Sequence, residues 1–395
     1  MLIKNAKLLE KGKAVVRDIL IKKGKIISIN KSISLKSKNN KKNKEVIIDA
    51  KHNLVLPGLI DPHVHCRDPG FTHKENLKTA SKAALAGGVT TMIDMPNTAP
   101  ATFTIKALNQ KKKLAKKALN NVLFHFGTNG QNMAEIKKAE KRKDVASTKL
   151  YMNLTTGKNI VEGKETLENI FKTSKFLTLH AEGKQLDQAL ALAIKYKRKI
   201  YICHVYSKKA MQKIEKAKKK HKQIYTEVCP HHLYLNKLHK KKLKGFALMK
   251  PELETKADNL YLWKALKNNK IDTIATDHAP HLKKEKQTKA PPFGIPGAEM
   301  RLPLMLDAVN KHKLTLTQLV RFCSTNPAKI FNIKNKGKIA KGYDADLVIV
   351  DMDKQKTAKD KDQHTKCKWT PYNGMKLKGW PIMTILNGKV LWKAK

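Results

Sequence analysis

At 395 residues with a hydrophobic fraction of 41%, the chain can bury a large core, which excludes global disorder and leaves room for one large domain plus a smaller one. Its 82 Lys and Arg against 32 Asp and Glu give a formal charge of +50, but the lysines run through nearly every segment without interleaved aromatics, which is not the pattern of a dedicated nucleic-acid-binding surface. No apolar run approaches the roughly 20 residues of a membrane span, the opening MLIKNAKLLEKGK lacks the apolar stretch of a secretion signal, and five scattered cysteines without a C-x-x-C pair fit a reducing, cytoplasmic setting rather than a disulfide framework.

Residues 1–56 alternate short β-like runs (MLIKNAKLL, AVVRDILIKKGKIISI, EVIIDA, NLVLPG) with Gly, Asn and Lys-rich breaks, which predicts a small antiparallel sheet. Within this stretch, residues 36–44 (KSKNNKKNK) carry no apolar side chain and read as an exposed turn or loop. From residue 57 the pattern changes to eight short apolar runs: VLPGLIDPHVH, VTTMIDM, VLFHFGT, TKLYMN, FLTLHAE, IYICHV, IYTEV and IDTIATDHAP. Helical stretches such as 74–87, 105–119, 162–173 and 184–196 separate them. Repeated strand–helix units predict an α/β fold with a parallel sheet, and eight of them predict a closed (β/α)8 TIM-type barrel over 57–334; an open doubly wound sheet is the structural rival. After 335 the β pattern returns in GYDADLVIVD and MKLKGWPIMTILNGKVLW, with an Asn-Gly hairpin signal at Asn387 and Gly388. Residues 1–56 and 335–395 are therefore expected to form one small β-sandwich domain.

The unusual polar residues fall at the strand ends. His63 and His65 close the first barrel strand, Asn97 follows the second, Lys149 lies in the fourth, and His180 and His204 close the fifth and sixth. Glu227 ends the seventh, and Asp277, His278 and His281 follow the eighth. In a closed barrel these ends share one rim. Imidazole and carboxylate are ligands for a borderline divalent ion such as Zn2+, and the scarcity of thiolates favours a catalytic over a structural site. His63 and His65, two apart on a strand, face the same side and can share one ion, while His180 and His204 come from neighbouring strands and can hold a second. Two such ions need a bridging anion, yet the fourth strand offers Lys149 in place of Asp or Glu. A buried neutral lysine can take up carbon dioxide as a carbamate, which would supply it. Arginine is rare in this lysine-rich chain, so Arg67 beside the His pair suggests a planar fork that grips a carboxylate.

Pieces along almost the whole chain, among them DPHVHCRDPG, GGVTTMIDMPNTAP, KLYMNLTTG, EVCPHHL, IDTIATDHAPH, PPFGIPGAE and GYDADLVIVD, resemble the amidohydrolase superfamily and, within it, the dihydroorotases. The KLYMNLTTG segment is similar to members whose metal site contains a carboxylated lysine. The resemblance implies a zinc-dependent cyclic amidohydrolase of pyrimidine (UMP) biosynthesis that interconverts N-carbamoyl-L-aspartate and L-dihydroorotate. It implies two Zn2+ ions held by His63, His65, His180, His204, Asp277 and Lys149 as N6-carboxylysine, with Asp277 also moving the reacting proton. Arg67, Asn97 and His281 would hold the substrate carboxylate, Lys250 stands where some relatives carry an Arg near the substrate, and the backbone around Phe293 would line the ring-binding side.

Cys203 and Glu227 match positions of an additional metal site in animal-type members, so a third ion beside His204 is a further expectation, against a simple buried role for Cys203. His231 and His232 receive no ligand role, and the polar loop 281–297 is read as a lid. The expected partner is a small-molecule substrate, with no dedicated nucleic acid and no membrane; a homodimer and association with aspartate transcarbamoylase are open. The rivals are a related hydrolase of cyclic amides (dihydropyrimidinase, hydantoinase or allantoinase) and a catalytically silent basic scaffold or nucleic-acid-binding homologue.

Overall fold

A computed structural model describes residues 1–34, 46–155, 157 and 159–394, so the 36–44 stretch read as an exposed loop lies outside the described residues. Eight strands, β1 (Leu59–Val64), β2 (Val89–Asp94), β3 (Asn121–Gly127), β4 (Val145–Tyr151), β5 (Phe176–His180), β6 (Lys199–Ile202), β7 (Ile224–Val228) and β8 (Thr273–Ile274), pair in parallel in chain order. The ring closes where β8 runs back to β1: Val64 bridges His278 in parallel, and the His65 amide donates to the His278 carbonyl at 2.8 Å. First and last strands of an open sheet do not meet this way, so the predicted barrel stands and the doubly wound rival falls.

The strands read as near-continuous apolar runs because helices cover them outside and side chains fill them inside; all six residues of β1 are buried. Some of the intervening helices begin on side-chain caps, for example Asn76 before Leu77–Ala86 and Ser207 before Lys208–Lys220. Lys208–Lys220 shows where much of the lysine resides. It buries Ala210, Met211, Ile214 and Ala217 at helical spacing and turns most of its lysines away from the core.

Strands from both chain ends form one further sheet, ordered Lys389–Lys393, Lys376–Leu386, Leu347–Thr357, Leu54–Pro57, Leu2–Glu10, Lys13–Lys22, Lys25–Asn30, with Ile47–Asp49 also on Leu2–Glu10. The ends join where Leu54–Pro57 lies antiparallel to Leu347–Thr357, Val350 facing Leu54 and Leu347 facing Pro57. They share an apolar core that includes Ile3, Ile19, Val55, Leu347 and Ile385. Residues 358–375 leave this sheet and pack on the barrel, where the Trp369 indole donates to the His281 carbonyl at 2.7 Å. Among the described residues no helix is long and apolar enough to cross a membrane.

Candidate metal centre

The barrel brings the strand-end residues together. His63 and His65, at the end of β1, both place Nε2 3.1 Å from the same Asp277 carboxylate oxygen beyond β8. His63 Nδ1 lies 2.5 Å from Glu227 on β7, and that carboxylate oxygen also accepts the His204 amide at 3.0 Å. His180 Nδ1 and His204 Nε2 are 2.9 Å apart, and Lys149, in register on β4 with Gly127 of β3 and Thr178 of β5, places its Nζ 3.0 Å from Cys203 Sγ. Ligand atoms of His63, His65 and Asp277 fall within 4.8 Å of one another, as do those of His63, Cys203 and His204. His204 and Asp277 adopt φ of +34° and +47°, as does Arg67 at +60°. Backbone held in this disfavoured region after β1, β6 and β8 is strain of the kind that clusters at functional sites.

The electrostatics fit a bound cation. Burial holds the imidazoles of His63, His65 and His204 well below their usual range, so the rings stay neutral and offer lone pairs. His65 Nδ1 lies 2.7 Å from Asn97 Oδ1, so it carries the proton and donates it, which leaves the Nε2 lone pair aimed at an Asp277 oxygen. Two electron-rich atoms at 3.1 Å repel unless a cation or proton lies between them. Glu227 is pushed up to about 8 by burial, and its Oε2 and the Nδ1 of His204 are buried without partners. Unsatisfied buried acceptors beside neutral imidazoles are the donor set a divalent ion satisfies.

Beside this cluster stands the candidate carboxylate grip. Arg67 is buried, its Nε donating to the Pro280 carbonyl at 3.3 Å and its Nη2 lying 3.0 Å from His281 Nε2. His281 is held in turn by the Phe293 carbonyl at 2.9 Å and by Lys74 at 3.1 Å. The Phe293 carbonyl thus orients His281. Lys250 pairs with Glu252 at 3.2 Å and sits over the Phe293 ring at 5.3 Å. The 281–297 loop contains a short helix, Lys283–Lys286, whose buried Lys286 ammonium donates to the carbonyls of Leu248, Pro292 and Gly294.

Sequence reasoning missed the supports. Glu182 holds His180 at 3.1 Å, Asp61 accepts from Thr276 next to Asp277, and Glu75 approaches His278 at 3.6 Å. Lys111 pairs with Asp94 beneath the turns that bear Arg67 and Asn97. Glu182 stands inside HAE and Asp94 inside MIDM, so their proximity to ligands was a usable signal. Lys111 had none, being one lysine among dozens.

An amidohydrolase family model matches residues 54–391. The chain is 36% identical to a dihydroorotase of Methanosphaera stadtmanae, with 99% of this chain and 96% of that one covered, and 37% identical to a dihydroorotase of Pyrococcus abyssi, with 98% and 93% covered. In shape it is similar to the L-hydantoinase (dihydropyrimidinase) of Arthrobacter aurescens, at a TM-score of 0.91, 26% identity, and coverage of 99% of this chain and 96% of that one. Barrel, converging ligands and relatives agree: the chain belongs to the amidohydrolase family, among the dihydroorotases.

Proposed function

We propose that this chain hydrolyses and re-forms the ring amide that links L-dihydroorotate to N-carbamoyl-L-aspartate, a step of pyrimidine biosynthesis. The observation that carries the reading is a buried guanidinium next to the metal-ligand cluster. Asn97 follows the strand that pairs with β1 and holds His65, and Arg67 follows His65 by two residues, so any ligand gripped by both would present its ring to Asp277. A carboxylated ring such as dihydroorotate suits such a fork; the neutral rings of dihydropyrimidine and hydantoin do not use it.

In this reading His63, His65, His180, His204, Asp277 and Lys149, the last as N6-carboxylysine, would hold two Zn2+ ions. Cys203 and Glu227 stand with His63 and His204 where a third ion would bind. Bound there, such ions would supply Lewis-acid chemistry, lowering the pKa of water and polarising the amide carbonyl. Asp277 accepts the proton of the attacking water and returns it to the ring nitrogen as the carbon–nitrogen bond breaks, so hydroxyl adds to carbon and hydrogen to nitrogen. Arg67, with Asn97 and His281, fixes the substrate carboxylate so that the amide lies over Asp277. Barrel walls exclude bulk water from these residues. Homodimer formation and association with aspartate transcarbamoylase go with this reading and are testable by size-exclusion chromatography with and without that enzyme.

The test is a purified chain, assayed for metal content and then for turnover of dihydroorotate, dihydrouracil and hydantoin. Preference for dihydroorotate is the expected result. Turnover of the neutral rings with none of the acid overturns the reading in favour of a hydantoinase-type activity.

A further inference from the structure

We propose that Cys229, His231 and His232 form a separate thiolate–imidazole site for a borderline divalent cation of the Zn2+ class, next to the centre described above. The three residues follow β7 at the short helix Pro230–Tyr234 and are all buried, at 0%, 1% and 1% exposure. Their ligand atoms lie within 4.8 Å of one another. Among the described residues this is the one such cluster that shares no member with the ligand groups around His63.

The hydrogen bonding leaves the site a cation-shaped deficit. His232 Nε2 lies 3.2 Å from the Pro251 carbonyl, so this nitrogen carries the proton and donates it. Nδ1 of the same ring is left as a bare lone pair, buried and without a partner, and Nε2 of His231 is buried and partnerless as well. Desolvated ring nitrogens of this kind are rare because each forfeits its hydrogen bond to water. A trapped water could donate to both rings, but a sulfur and two imidazoles together are the donor set of a borderline metal. On binding, the Cys229 S–H proton leaves to solvent, the sulfur and the two ring nitrogens each contribute a lone pair, and no redox change occurs.

The backbone carrying these donors is already fixed. Asn259 Nδ2 donates to the carbonyls of His232 at 2.7 Å and Leu235 at 2.9 Å, and the Trp263 indole donates to the Leu233 carbonyl at 2.9 Å. A site whose ligands are locked by their surroundings loses little ordering entropy when the ion arrives.

Cys203 also lies near metal ligands, so the experiment starts from full-length Cys203→Ser, stripped with chelator and refilled with Co2+. Cobalt content and the near-ultraviolet sulfur-to-cobalt charge-transfer band are read in that chain, in Cys203→Ser/Cys229→Ser and in Cys203→Ser/His231→Gln. The expected result is a band in the first chain, and loss of both the band and one equivalent of cobalt in the second. The third chain loses the same equivalent and stands in for the second if that one does not fold. No band in Cys203→Ser, or a band and cobalt content unchanged in the other two, overturns the proposal, whatever the enzyme's activity.

Discussion

The Lys111 ammonium lies 2.8 Å from the Asp94 carboxylate, and neither side chain is exposed to solvent. Lys111 also donates to the Met95 carbonyl, while the other Asp94 oxygen accepts the Cys66 amide at 2.8 Å. One buried ion pair therefore joins the residue before Arg67 to the turn that leads to Asn97. Lys111→Met leaves the carboxylate buried without its counter-charge. Removing one partner of such a pair costs about 3–5 kcal/mol. Urea unfolding of the variant is expected to show that loss; a midpoint equal to that of the parent would mean that Asp94 finds another partner.

Arg67→Lys keeps the charge and removes the fork. A hydrogen bond to a charged group contributes about 1.5–3 kcal/mol, and each 1.4 kcal/mol is about tenfold in binding. The variant should therefore raise KM for dihydroorotate about ten- to a hundredfold, with kcat less affected. Steady-state kinetics in the hydrolytic direction decide the point, and an unchanged KM removes the carboxylate-grip argument.

Asp277→Asn retains size and shape but cannot accept the water proton. Loss of a positioned general base lowers rate by about a hundred- to ten-thousandfold. Asp277 also faces His63 and His65, so metal content must be measured in the same sample. A variant with full metal and near-parental kcat would transfer the proton role to another group.

Glu227 gives a pH signature in the metal-free chain. Burial raises its folded pKa from 4.5 to about 8, so between these values the folded chain holds a proton that the unfolded chain releases. Its contribution to stability is full below about pH 4.5 and is lost as pH rises towards 8. The buried histidines, with folded pKa depressed below 6.5, act in the opposite sense and remove stability as pH falls below 6.5. In chelator-treated protein, Glu227→Gln should abolish the decline on the alkaline side and leave the acid-side decline in place. Thermal melts across pH 5–9 showing the same alkaline slope in both chains would place the titrating proton elsewhere.

The architecture was readable because it is written in periodicity. Alternating apolar runs and helical stretches require parallel strand–helix units, and His63, His65, His180, His204 and Asp277 all fall at strand ends. Strand ends in such a fold converge for a geometric reason, so these residues could be grouped before any coordinates. Arg67 stood out because arginine is scarce in a chain rich in lysine.

What the linear chain left open are relations between positions far apart in it. Nothing in MIDM or NQKKKLAKK marks Lys111 as the buried one among its neighbours; only the packing of helix Ile105–Ala115, whose Leu108 clusters with Phe124 and Phe126 of β3, brings it to Asp94. The pairing of Asn97 with His65, the contact of Glu227 with His63 across the barrel, and the descent of residues 358–375 onto His281 are likewise products of tertiary packing. Sequence by itself determined which side chains are chemically able to hold a cation and at which strand ends they sit, because local pattern and residue type are local properties. Only the folded barrel decided which lone pairs face one another and which charges are desolvated, because distance and dielectric depend on neighbours the chain reaches only by folding.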